Sequence, residues 1–197
     1  MRDQPPLVLA STSRYRRALL ERLRVPFDLL APDWSEVRLA TPGETVLVNA
    51  RGKARAGALR RPGAAILASD QVACCDGRTL EKPGTPERAC EQLAWLAGRE
   101  HELHTCVVLR MPDGAEESET VVAHLRMRPL SPDQIVSYVR LESPLDCAGS
   151  YMSEALGIVL FEYLKCDDPT AIIGLPLIAV RRLLERAGWD LLRVPGI

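Results

Sequence analysis

The chain has 197 residues, 47% of them hydrophobic and 26% charged, with a formal net charge of −1. That length and apolar content predict a single domain over residues 1–197, or two lobes sharing a core, and the balanced charge gives no electrostatic basis for a nucleic-acid or membrane partner. No apolar run reaches membrane-spanning length, residues 1–6 lack an apolar signal core, and the six cysteines (Cys74, Cys75, Cys90, Cys106, Cys147, Cys166) have no CxxC or zinc spacing, so a reduced, cytoplasmic protein is expected.

Residues 7–10 read as a buried strand, and a helix is expected over 16–23 with Leu19, Leu20 and Leu23 on its apolar face. Arg16 stands three, four and seven positions before them, which places it on the inward stripe at the first turn. Beside Ser11, Thr12 and Ser13 it makes an anion seat, where free backbone N–H groups, the helix dipole and a forked donor converge. The alternative is a capped surface helix whose Arg16 reaches out to water. Residues 25–30 look extended after Pro26, and a loop with Pro32, Asp33 and Glu36 follows. Thr41-Pro42-Gly43-Glu44 supplies an N-cap hydroxyl, a proline at the first helical position and a capping-box glutamate, predicting a helix to about Leu59. Lys53 shares a face of it with Val46, Asn49 and Ala50, so it either snorkels or meets an anion.

The apolar run 64–69 ends at Asp70-Gln71. Strand ends border the ligand crevice in open α/β sheets, so Asp70 could be a general base or a metal ligand, or could simply cap the next turn. Asp76-Gly77 predicts a tight turn between extended residues 72–75 and 78–80. Lys82 follows, before Pro83, either presented from a stiff loop or an ordinary surface lysine. Thr85-Pro86-Glu87 opens a helix that Gly98 closes, and Pro112-Asp113-Gly114 turns a long antiparallel hairpin from residue 104 to about Arg128. His101, His104 and His124 read as strand or surface residues there. A capping box at Ser131-Pro132-Asp133-Gln134 opens a helix to about Leu141; a loop, a strand over 157–163 and a helix over 175–187 complete the chain. The alternation predicts the α/β class with a mixed sheet.

Near element ends stand three cations, Arg16, Lys53 and Lys82, and three carboxylates, Glu36, Asp70 and Glu81. The cations suit a polyphosphate; the carboxylates suit one or two Mg²⁺ ions and a base for water. GxxxxGK[ST], GxGxxG, GxSxG and HExxH are all absent.

Over nearly its whole length the chain resembles the Maf-like family of nucleoside triphosphate pyrophosphatases. The resemblance is carried by Leu7-Val8-Leu9-Ala10-Ser11-Thr12-Ser13 with Arg16-Arg17, Ala31-Pro32-Asp33 leading to Glu36, Lys53-Ala54, Ala68-Ser69-Asp70-Gln71, Glu81-Lys82-Pro83, Cys147-Ala148-Gly149-Ser150 and Gly174-Leu175-Pro176-Leu177. It implies cleavage between the α- and β-phosphates, a divalent cofactor (Mg²⁺ or Mn²⁺), homodimers, and a Maf/ITPase-like two-lobed fold with an elongated mixed sheet, flanking helices and a nucleotide cleft. By resemblance Asp70 is the proton acceptor, Arg16, Lys53 and Lys82 hold the triphosphate with the Ser11 and Ser13 loop, and Glu36 and Asp70 are metal-side carboxylates with Glu81 as a further member. Tyr15, Gln71 and Glu154 match base-specificity positions.

The branch acting on 7-methyl-GTP has an aromatic residue at the Tyr15 position, where the dTTP/UTP branch has arginine. A methylated guanine is cationic, so an aromatic face can stack on it and a carboxylate can complement it. Three residues depart from the pattern: Arg14 stands at a family proline, Met152 at a lysine of that branch and Ala155 at a glycine. A nucleotide-binding regulator of septum formation is the alternative from another class. It would need the cations but not the acidic set, and the acidic set favours an enzyme.

Overall fold

The structure, a computed structural model, describes residues 4–192; the expectations resting on Met1, Arg2 and Asp3 and on the last five residues of the 1–197 domain lie outside the described residues. Strand β1 (Leu7–Ala10) buries all four of its side chains, as its unbroken apolar run requires of a strand covered on both faces. It pairs in parallel with β2 (Phe27–Leu30) on one side and β3 (Ala65–Cys75) on the other. Between them lie α1 (Arg14–Glu21) and α2 (Pro42–Arg60), the latter opened by the Thr41 cap and Pro42 as its sequence dictates. From β3 onward the sheet is antiparallel. Strand β4 (Arg78–Leu80) folds back through Asp76 (φ 49°) and Gly77 (φ 74°), the paired left-handed residues of a tight hairpin.

Beyond α3 (Pro86–Leu96), the hairpin of β5 (Glu100–Arg110) and β6 (Glu116–Met127) begins four residues earlier than expected. Helix α4 (Pro132–Glu142) carries the full capping box of Ser131 and Gln134, and β7 (Phe161–Lys165) and α5 (Leu177–Arg186) follow. The seven-stranded sheet runs β2-β1-β3-β5-β6-β7 with β4 on β3, the elongated mixed sheet of the expected α/β fold.

Three expectations are corrected. The runs 64–69 and 72–75 are one strand, because β5 pairs with β3 without interruption from Ile66 to Cys74; Asp70 sits mid-strand opposite Cys106. Helix α1 starts at Arg14, because the Ser13 hydroxyl caps it by accepting from the Arg16 N–H at 3.3 Å. The strand expected over 157–163 is a 3₁₀ turn, Leu156–Leu160, followed by β7. Gly157 passes so close to the Met152 carbonyl that a β-carbon would lie 2.3 Å from its oxygen, and the chain coils there before it can extend.

Three apolar clusters make two lobes on one sheet. In the first lobe α2 covers one face with Val46, Ala50 and Ala54, while α1 and α5 cover the other with Leu20, Leu183 and Leu184. The second lobe packs α3 and α4 on the far halves of β3, β5 and β6. No helix among the described residues is long and apolar enough to cross a membrane. Strand β1 pairs only as far as Leu67, whereas β3 runs on through Asp70. The step left at the carboxyl end of β1 is where a parallel sheet opens a crevice, and the charged residues collect there.

Candidate active site

Lys53 is the centre of the site. Its side chain is 7% exposed on the inner face of α2, and its ammonium bridges Glu36 Oε1 at 2.5 Å and Asp70 Oδ1 at 2.6 Å. Of the two outcomes open to a lysine at this position, it therefore meets anions. Asp70 projects from β3 and is 4% exposed, so it does not cap a turn. Its second oxygen accepts from Asn49 Nδ2 at 3.1 Å. Asn49 also donates to the Val37 carbonyl (3.0 Å) and accepts from the Val37 N–H (2.8 Å) and the Trp34 indole (3.3 Å). Both donors and both acceptor positions of this buried amide are thus satisfied. It ties the loop carrying Glu36 to the strand carrying Asp70, and its signal in the sequence was a polar residue one helical turn from Lys53 on an apolar face.

Trp34 completes the clamp by lying flat on Gly52, where a β-carbon would come within 2.2–2.4 Å of the indole. Gly52→Ala must expel that ring and loosen the Glu36 loop. We expect a stability loss of about 1–3 kcal/mol in thermal unfolding and a lower kcat/KM, whatever small gain alanine brings to the helix.

Arg16 spends its Nε on the Gly174 carbonyl at 2.9 Å, which leaves its two terminal nitrogens for a ligand. Ser69 Oγ donates to the same carbonyl at 3.0 Å, and Gly174 needs glycine for its φ of 120°. Burial lowers the Arg16 pKa and the nearby Asp70 and Glu36 oppose that, but a guanidinium stays cationic throughout. Burial would raise the Glu36 carboxyl; the Lys53 hydrogen bond, with the charges of Lys53, Lys82 and Arg16, outweighs it and holds the group below the usual carboxylate range. Ser11 is buried and accepts from the Ser13 N–H at 3.1 Å, shaping the turn into α1.

Ser11, Ser13, Arg16, Glu36, Lys53 and Lys82 all line one cavity of about 460 Å³. A smaller adjoining pocket of about 90 Å³ gathers Tyr15, Gln71 and Glu154, with Gly174 at its wall. Gln71 commits its Nε2 to Thr105 Oγ1 (2.9 Å) and the Ala171 carbonyl (2.8 Å), so its oxygen is left without a hydrogen-bond partner among the described residues. Burial pushes the Tyr15 hydroxyl up to about 12 and it stays protonated. A larger cavity, about 1110 Å³, lies elsewhere, between β2 and α5; it is mainly apolar, and neither Lys53, Lys82 nor Asp70 lines it.

Residues 6–187 match the Maf-like protein family. The chain is 49% identical over 198 residues to the 7-methyl-GTP pyrophosphatase of Burkholderia pseudomallei (strain 1710b), covering 98% of this chain and 92% of that one. Likewise it is 46% identical to the 7-methyl-GTP pyrophosphatase of Bordetella avium (strain 197N), over the whole of both chains. This protein belongs to the Maf-like family. Among solved structures, a HAM1 protein from Coxiella burnetii shares the fold at TM-score 0.50 and 18% identity, covering 93% of this chain and 98% of that one.

Two of the three expected carboxylates, Asp70 and Glu81, line neither cavity of this Maf-like protein; Asp70 meets the first cavity through its bond to Lys53. Glu81 is paired with Arg38 at the surface. His104 and His124 are strand residues that both face Glu102, whereas His101 is core: it is 3% exposed, bonds Tyr151 Oη at 2.9 Å, and burial lowers its pKa to about 4. Asp146 was missed by sequence reasoning. It lines both cavities from the loop after α4, and nothing in its local pattern distinguishes it from any other loop aspartate.

Proposed function

We propose that this Maf-like protein is a nucleoside triphosphate pyrophosphatase that hydrolyses 7-methyl-GTP to 7-methyl-GMP and pyrophosphate, removing a modified nucleotide from the cytoplasmic pool. The observation that carries this reading is the Glu36–Lys53–Asp70 bridge, lined up with Arg16 and Lys82 and adjoined by the Tyr15, Gln71 and Glu154 pocket. The names of the relatives support the choice of base.

Phosphoryl transfer asks a protein mainly for positioning and charge neutralisation. Arg16, anchored on Gly174, and Lys82 hold phosphate oxygens, and Lys53 neutralises charge near the cleaved bond. Asp70 accepts the proton of the attacking water; Lys53 and Asn49 fix the direction of its lone pairs. No three His, Cys, Asp or Glu residues among the described ones gather into a metal site. Glu36 and Asp70 both bond the Lys53 ammonium; their remaining lone pairs would hold a Mg²⁺ or Mn²⁺ ion beside it, since such ions take one or two carboxylates plus substrate phosphates. When bound, the ion supplies charge neutralisation at the phosphates. Tyr15 stacks on the base, the Gln71 oxygen accepts from it, and Glu154 accepts from the guanine N1–H and N2–H₂ edge.

A panel of normal and methylated triphosphates with Mg²⁺ or Mn²⁺, read by pyrophosphate release, tests the assignment; faster turnover of dTTP or UTP than of 7-methyl-GTP overturns it. Tyr15→Arg puts a cation where a cationic base must stack. It should lower kcat/KM for 7-methyl-GTP about tenfold more than for dTTP, and equal losses would remove Tyr15 from base selection.

A further inference from the structure

The two cavities share five lining residues, Ser13, Tyr15, Arg16, Lys82 and Asp146, so they are one trench crossed by a bridge. The bridge joins the lobes. From α1 comes Tyr15, whose hydroxyl lies 3.4 Å from Asp146 Oδ1 and 3.2 Å from Met152 Sδ, both on the second lobe. Asp146 is exposed, and the carbonyl of the neighbouring Leu145 accepts from the Gly84 N–H at 3.0 Å.

The bridge already holds a cation. The Arg14 guanidinium lies over the Tyr15 ring, 4.7 Å from its centroid, and donates to the Tyr15 hydroxyl at 2.6 Å. Arg14 and Asp146 meet at the Tyr15 hydroxyl, which accepts from the guanidinium and lies 3.4 Å from the carboxylate, with no direct ion pair between the two among the described residues. Arg14 is otherwise exposed and has no other hydrogen-bond partner among the described residues, so a single weak set of contacts keeps it in place.

A guanidinium and a guanine methylated at N7 share one chemistry, a flat cation with delocalised charge, and both are suited to an aromatic face beside a carboxylate. We propose that Tyr15 and Asp146 form a seat for a planar delocalised cation, filled in this structure by Arg14 and given over to the methylated base when substrate binds. Asp146 is then a specificity-determining residue and Arg14 an internal competitor. Glu154 reads the hydrogen-bonding edge of the base, while Asp146 reads its charge. Arg14 and Met152, two departures from the family pattern, both act on Tyr15, one on its ring and hydroxyl and the other on its hydroxyl alone. This inference rests on 7-methyl-GTP being the substrate.

The test uses the full chain and steady-state kinetics with 7-methyl-GTP and GTP, together with calorimetric binding of 7-methyl-GMP and GMP. Both substituted side chains are exposed, so the variants should fold. Asp146→Asn should lower the preference for 7-methyl-GTP over GTP about fivefold, through KM, and lower the binding preference for 7-methyl-GMP equally. Arg14→Ala should lower KM for both nucleotides about threefold with kcat unchanged, since either base must displace the guanidinium. A wild-type enzyme with no preference for the methylated base overturns the substrate reading and this one together. A wild-type preference that survives Asp146→Asn intact overturns the seat alone, as does an Arg14→Ala variant whose KM is unchanged or raised.

Discussion

Asp70→Asn should slow pyrophosphate release about 1,000-fold at saturating 7-methyl-GTP, while nucleotide affinity stays within about threefold of wild type. The substitution keeps the shape of the side chain, removes its charge and its ability to take a proton, and turns one of its two acceptors into a donor. Its surroundings accommodate part of that change. Lys53 retains the Glu36 carboxylate, and the new amide oxygen can accept from Lys53, while the new NH₂ meets Asn49 Nδ2, itself a donor, so that one hydrogen bond is lost. The phosphate contacts come from other residues, so removing a negative charge beside a polyanion gives no reason for binding to weaken. Single-turnover rates paired with calorimetric titration separate the two effects. A variant that keeps more than a tenth of the wild-type rate would show that Asp70 is not the base.

Much of this fold was legible because the local signals were chemical. Thr41-Pro42 and Ser131-Pro132-Asp133-Gln134 fixed two helix starts, and Asp76-Gly77 fixed a turn, since few residues satisfy those backbone geometries. Errors arose where a tertiary partner decides the outcome. Asp70-Gln71 looked like a strand end from its polarity, yet β5 pairs straight through it, and the polar side chains are accommodated by Lys53, Asn49, Thr105 and the Ala171 carbonyl. Gly157 stops a strand through contact with Met152, a neighbour that strand periodicity does not reveal.

The site divides in the same way. Arg16 and Lys53 announced themselves as charges on apolar helix faces, where burial demands a partner. Lys82 and Glu36 had no such pattern; only their place near element ends marked them, until the family resemblance gave them roles. Glu81 had the same support; its carboxylate pairs with Arg38 outside the two cavities. Asp146 had neither kind of signal.

Lys53→Met should unfold about 6–12 °C below wild type and lose nearly all activity. Lys53 is 7% exposed and Asp70 6% exposed at their side chains, so removing the ammonium strands a buried carboxylate with only Asn49 as donor. Truncating one partner of such a pair costs about 3 kcal/mol, and each kcal/mol is worth about 2–4 °C in a domain of this size. Glu36 adds little to that cost, being 61% exposed and able to return to water. The double substitution Lys53→Met with Asp70→Leu removes the stranded charge as well. It should recover most of the lost melting temperature and none of the activity. An apolar pair of similar volume would then serve the fold about as well as the ionic one, which leaves chemistry as the reason for a lysine and an aspartate between α2 and β3. Failure of the double variant to regain stability would instead place the ion pair among the elements that hold the first lobe together.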